Sequence, residues 1–310
     1  GNFARFVVSY LIHPYRPHLS IDLRKAKELF GFGKWILGSS ILVFLLTQGD
    51  DIFVGKLLGA TALGFYQMAY RISNMPATEY SHLIATVTFP AYSKLQENIS
   101  KLKEAYLKVL QLTAFLSIPI AGMIFALAPD FTKIFLGEKW MPMVPAMQVL
   151  AIYGLFRALG ATTGAVWRAV GKPQIGTKFM LFQLTLLAIL IYPLTMHWGI
   201  LGTSIAVTTY ALMNFIALYI VLNIVKSKYG KTAKILILPL IAALAMIFAI
   251  FAIKTCIFVS VTLVSFLVLI AMGIIIYFLV THLFDIMFDY GIKILIQEQL
   301  TLLLKHEEDK

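Results

Sequence analysis

Two adjacent carboxylates, Asp50 and Asp51, stand inside the stretch "LLTQGDDIFVGKLLG" at residues 45–59, which is otherwise almost wholly apolar. Two guanidinium groups interrupt similar stretches: Arg71 in "FYQMAYRISNMPATEY" and Arg157 in "AIYGLFRALGATTGAVWRAVGKP". Charged side chains among apolar neighbours perform a limited range of chemistry. A carboxylate without solvent pairs with a cation or takes up a proton, because an isolated buried charge is expensive. That makes Asp50 and Asp51 candidates for exchanging H⁺ or Na⁺, with solvation at a helix end as the plainer reading. An apolar guanidinium either attracts an anion into a wet cavity or locks onto a buried acid. Glu79 is a third acid for ion coupling. It follows Pro76, which lacks an amide proton and is expected to bend its helix, so Pro76 is the hinge candidate. The pattern "GDD" is not a metal motif, since neighbouring side chains on a helix point about 100° apart. The six histidines (13, 18, 82, 197, 282 and 306) show no ligand spacing, so the sequence predicts no metal site, no cofactor and no catalytic set.

What positions these groups follows from composition. Of 310 residues, 60% are hydrophobic and 13% charged, with a mean hydropathy of +0.85. Soluble domains carry about 25% charged and 45–50% apolar residues. Apolar runs of about 18 residues or more recur along the chain, each long enough to cross the roughly 30 Å hydrocarbon layer. The expected class is all-α, a polytopic transmembrane helical bundle. The net charge of +11 does not indicate nucleic acid, because Lys and Arg fall in short clusters between apolar runs. The single cysteine, Cys256, lies in an apolar run, where inert packing is expected.

Residues 1–34 read as the end of a preceding span followed by a polar connector, since "GNFARFVVSYLI" is too short to cross a bilayer. The second half of that connector suits an amphipathic helix. Eight spans are expected at 35–57, 62–92, 109–127, 143–167, 179–197, 200–225, 235–253 and 256–281. The first six (35–225) form a six-helix bundle, and 226–281 holds two additional spans. The tail, 282–310, mixes Leu283, Ile286, Met287, Ile292 and Ile296 with polar residues, as an interfacial helix does. Loop charge supports the layout. Connectors 13–34, 93–108, 168–178, 226–234 and the tail hold 19 of the 26 Lys and Arg, whereas the opposite set holds only Lys56, Lys133, Lys139 and Lys254. The basic side, with the tail, is therefore expected in the cytoplasm. The longest outer loop, 128–142, is too short to house a soluble domain, which excludes an extramembrane enzyme.

Arg157 lies about ten residues from the basic connector, roughly 15 Å along a helix and near the bilayer centre. Arg71 lies at similar depth. Insertion there costs about 2.5–3.5 kcal/mol, and such residues usually face a bundle interior or a cavity. Asp50 and Asp51 are about sixteen residues past Lys34, roughly 24 Å from the basic face, in reach of either Arg. Gly160 and Gly164 form a small-xxx-small pair that suits close helix packing.

The stretch "DDIFVGKLLGATALGFYQMAYRISNMP" followed by "ATVTFPAYSKLQ" resembles the recurring core of the polysaccharide-transport flippases, within the multidrug/oligosaccharidyl-lipid/polysaccharide exporter superfamily. "HPYRPHLSIDLRKAKELFGFGKWILGSS", "FRALGATTGAVWRAVGKP" and "HWGILGTSIAVTTYALMNF" agree in order, so the resemblance covers residues 1–225. It implies a MATE-like fold of two six-helix bundles around a cavity, with this chain matching the second bundle and two extra C-terminal spans. The partners it implies are a lipid-linked oligosaccharide, membrane lipids, and a missing N-terminal bundle or a second copy. Asp50 matches the acid before the core Gly-Lys, whereas Asp51 stands where a polar residue is usual. Arg71 matches the core Tyr-Arg, and Arg157 an Arg present in many relatives. The implied activity is translocation of polyprenyl-pyrophosphate-linked oligosaccharide across the cytoplasmic membrane, coupled to H⁺ or Na⁺, by a transporter rather than an enzyme. On this view Arg71 and Arg157 bind the anionic substrate and Asp50, Asp51 or Glu79 carries the ion. The alternatives are a cation-coupled drug exporter of the same fold, which would want a cavity rich in acids and aromatics, and a membrane sugar polymerase or ligase. A purely structural subunit of an export complex is a further alternative.

Overall fold

The computed structural model describes residues 8, 23–257, 261–291 and 293, apart from the side chains of 23–39, 79–87 and 173. The chain divides into two compact units, Gly1–Val43 and Phe44–Lys310. In the first, the backbone is helical from Leu23. Every regular element among the described residues is a helix. In chain order they are α1 (Leu23–Leu95), α2 (Ile99–Phe131), a π turn (Thr132–Leu136), a 3₁₀ turn (Glu138–Met143), α3 (Val144–Ala169), α4 (Pro173–Leu212), α5 (Asn214–Ile224), α6 (Tyr229–Cys256) and α7 (Leu263–Phe288).

α1 is a hairpin of two arms. An uninterrupted helix places residues sixteen apart about 24 Å from each other. Yet the Tyr66 hydroxyl bonds Asp50, and the Gln67 amide bonds Asp51. A Cβ on Gly55 would meet Leu63 at 3.1 Å. These pairs are centred on Gly59, whose backbone (φ 83°, ψ 176°) is open only to glycine. The reversal falls between the spans expected at 35–57 and 62–92, and no stretch of α1 is among those long and apolar enough to cross a bilayer in the described residues. By contrast, the helix runs through Pro76 without leaving helical angles, so the break falls at Gly59 rather than at the proline.

α4 folds in the same way at Gly199 (φ 58°, ψ −137°). Thr195 bonds Thr203 at 2.8 Å, and the Gln183 amide reaches the Tyr210 carbonyl and the Asn214 side chain, a ladder of antiparallel partners. Five stretches among the described residues are long and apolar enough to cross a bilayer, and one, Gln174–Ile224, contains both arms of this hairpin.

Three boundaries differ from expectation. Residues 128–142 are not an open loop: α2 continues to Phe131, and the π and 3₁₀ turns carry the chain around Gly137 (φ 87°) to α3. The span expected at 200–225 is interrupted at Met213, where Asn214 turns its amide to other helices. α6 reaches Cys256, and α7 begins only at Leu263 behind a capping box of Thr262 and Ser265. Cys256 is accordingly exposed at a helix end rather than packed. The tail expected as an interfacial helix is described only in part: 282–288 prolong α7, and most residues beyond 291 lie outside the described set.

The interior has two apolar centres. One joins α1, α3 and α4 through Leu46, Val54, Met143, Met147, Leu150, Leu187 and Ile191. The other packs α2 and α3 on α6 and α7 through Leu102, Leu110, Met246, Ile250 and Leu269. An ion pair from Lys254 on α6 to Asp130 on α2, with both side chains mostly buried, pins the same contact at one end. Phe248, Val264, Leu279 and Ile286 project outwards from α6 and α7, an apolar exterior suited to lipid.

Candidate functional site

The α1 hairpin brings the two carboxylates opposite the aromatic face of its own second arm. Asp50 is 3% exposed; its Oδ2 accepts from the Tyr66 hydroxyl at 2.6 Å, and its Oδ1 has no partner among the described residues. Asp51, half-buried, accepts from Gln67 Nε2 at 3.0 Å. Consecutive helical positions point apart, so one carboxylate enters the protein while the other stays wet. Both border a cavity of about 410 Å³ that Thr47, Gln48, Gln67, Met68, Tyr70 and Arg71 also line.

Arg71 is exposed on that cavity. Arg157, half-buried on α3, does not line it but donates through Nη1 to the hydroxyl of Tyr70, which does, at 3.3 Å. Among the described residues no ion pair joins either Arg to Asp50 or Asp51. The acids bond Tyr66 and Gln67 instead of the guanidinium groups. The side chain of Glu79 lies outside the described residues.

Sequence reading missed the tyrosines. Tyr66, Tyr70, Tyr153 and Tyr210 pack ring to ring, with centroids at 6.3, 5.8 and 5.9 Å. Tyr153 and Tyr210 share a hydroxyl bond of 2.8 Å, and Tyr210 donates at 3.2 Å to the Leu46 carbonyl, one turn before Asp50. This stack ties both arms of α1 to α3 and α4 and orients the ring that Arg157 holds. Its only local signal is the four-residue spacing of Tyr66 and Tyr70, which puts them on one helix face; Tyr153 and Tyr210 come from distant sequence.

Gly160 and Gly164 do not act as a pair. A Cβ on Gly160 would lie 2.6 Å from the Asn214 carboxamide, whereas Gly164 has nothing within 4 Å. Gly160 makes room for Asn214, whose Nδ2 donates to the Phe156 carbonyl at 3.0 Å and whose Oδ1 accepts from Gln183 at 3.2 Å.

The helices and their apolar exterior, with charged and polar groups gathered at an internal cavity, define a polytopic α-helical membrane protein of the MATE-like kind. Residues 1–145 match the model of the polysaccharide biosynthesis protein family. The chain is 28% identical over 226 residues to the lipopolysaccharide biosynthesis protein WzxC of Escherichia coli K12, an alignment covering 73% of this chain and 46% of that protein. It is 32% identical over 161 residues to the teichuronic acid biosynthesis protein TuaB of Bacillus subtilis strain 168, covering 52% of this chain and 33% of that one. The chain thus spans about half or less of these relatives. A solved structure of the lipid II flippase MurJ, in an inward closed conformation, superposes with a TM-score of 0.72 at 17% identity, over 90% of this chain and 59% of that one. At that identity the likeness establishes the fold.

Proposed function

We propose that this chain is part of a flippase that moves a lipid-linked oligosaccharide, carried on polyprenyl pyrophosphate, across the cytoplasmic membrane. The observation that carries this reading is Arg71: a guanidinium on the second arm of α1, exposed on a cavity and, among the described residues, not ion-paired with the acids beside it. A guanidinium so placed offers charge-assisted hydrogen bonds to an anionic cargo. Arg157 supports the same wall by fixing Tyr70 and adds positive potential behind it. Asp50, with one buried oxygen open, is the foremost candidate for exchanging H⁺ or Na⁺; Asp51 and Glu79 are the others. Rocking of helix bundles around the site would expose it to each face in turn while the polyprenyl tail stays in lipid. An inside-negative potential favours outward movement of the diphosphate by about 2.3 kcal/mol per charge per 100 mV. The cytoplasmic placement of the basic connectors belongs to this proposal and rests on their charge.

The decisive experiment reconstitutes the protein in vesicles and follows translocation of a polyprenyl-pyrophosphate-linked oligosaccharide with a fluorescent headgroup. Arg71→Ala should slow translocation at least tenfold, and Arg157→Ala should slow it less, through loss of Tyr70 positioning. Unchanged rates in both variants would refute the anion role.

A further inference from the structure

The cavity carries a chemistry that an anion site alone does not explain. Two carboxylates and two carboxamides surround one guanidinium. Carboxylates are acceptors only and repel phosphate oxygens. A polyol has the opposite need: every hydroxyl must donate one hydrogen bond and can accept others. We propose that Asp51, Gln67, Gln48 and Thr47 form a subsite for the hydroxyls of the saccharide nearest the pyrophosphate, with Arg71 facing the phosphate side. This rests on the proposed cargo and deepens it.

Three observations support the assignment. Asp51 accepts from Gln67 through Oδ2 and is half-buried on the cavity wall, so the pair is pre-organised with the carboxylate within reach of a ligand hydroxyl. The volume, about 410 Å³, falls within the range typical of small-ligand sites, about 300–1,000 Å³. Tyr70 adds an aromatic wall for the apolar face of a sugar ring, held in place by Arg157 and by packing on Tyr66 and Tyr153.

The test measures binding by the full chain in lipid nanodiscs to two probes: polyprenyl pyrophosphate bearing a disaccharide, and bare polyprenyl pyrophosphate. The wild-type protein should bind the first about tenfold more tightly, the worth of one or two hydrogen bonds to charged groups. Asp51→Asn and Gln67→Ala should each bring that ratio close to one; Gln67→Ala should leave affinity for the bare lipid unchanged, whereas Asp51→Asn, which removes a negative charge from the cavity, should raise it. Both positions are partly or fully exposed, so these changes are compatible with folding. A ratio unchanged in both variants would overturn the subsite. Arg71→Ala should weaken both probes together; if it weakens neither, the anion role fails while the saccharide subsite stands. If neither probe binds the wild-type protein, the proposed cargo and the subsite fall together.

Discussion

Asp50 and Tyr66 meet across the α1 hairpin in a bond that neither residue would make in water-exposed surroundings. The carboxylate is nearly sealed, and Tyr66 is its only side-chain donor among the described residues. Removing one partner of a buried polar pair leaves the other desolvated, at a cost of about 1–3 kcal/mol. Tyr66→Phe is therefore expected to lower the thermal unfolding temperature of the detergent-solubilised protein by several degrees. The double variant Tyr66→Phe/Asp50→Leu should recover much of that loss, because replacing both partners by apolar groups removes the stranded acceptor. A double variant less stable than Tyr66→Phe alone would show that Asp50 is held by something other than this bond. Asp51, one residue on, has a different environment because helical geometry turns it towards the cavity, where Gln67 rather than an Arg meets it.

At the scale of elements, two helical hairpins and one interhelical polar tie set the site. α1 reverses at Gly59 and α4 at Gly199, and each reversal places polar side chains from its two arms against one another. The tie at Asn214 joins α3, α4 and α5, and it exists only because position 160 lacks a side chain. Gly160→Ala should force Asn214 from its hydrogen bonds and destabilise the protein by about 1–3 kcal/mol, the usual cost of overpacking. Because both residues act on one contact, Gly160→Ala/Asn214→Ala should be less unstable than the sum of the single changes. Strict additivity in thermal unfolding would contradict the close approach.

For the whole molecule, loop charge and helix ends together make a topological claim. Cys256, the single cysteine, sits exposed at the end of α6 next to Lys254, on the side of the sparsely charged connectors. If the basic connectors are cytoplasmic, a membrane-impermeant maleimide should label Cys256 in intact cells without permeabilisation, and Cys256→Ser should abolish the signal. Labelling that requires permeabilised cells would invert the orientation. The Asp130–Lys254 ion pair lies at the same end, where it ties the additional helix α6 to α2.

Much was legible in the sequence because a bilayer imposes simple demands: spans must be long and apolar, and charges within them must be costly. Those demands singled out Asp50, Asp51, Arg71 and Arg157 and gave the helical class. They could not say which charges meet, since contact depends on where hairpins turn and how arms rotate. Gly59 lies in the gap expected between the stretches 35–57 and 62–92, but that the chain reverses there, bringing residues 50 and 66 together, is a property of its positive φ. The tyrosine stack was invisible for the same reason: Tyr153 and Tyr210 come from helices whose adjacency is a property of packing. Composition and periodicity therefore determined the solvent, the helices and the expensive residues. Tertiary structure decided the partners, because hydrogen bonds of about 3 Å discriminate among rotations and registers that apolar patterning treats alike.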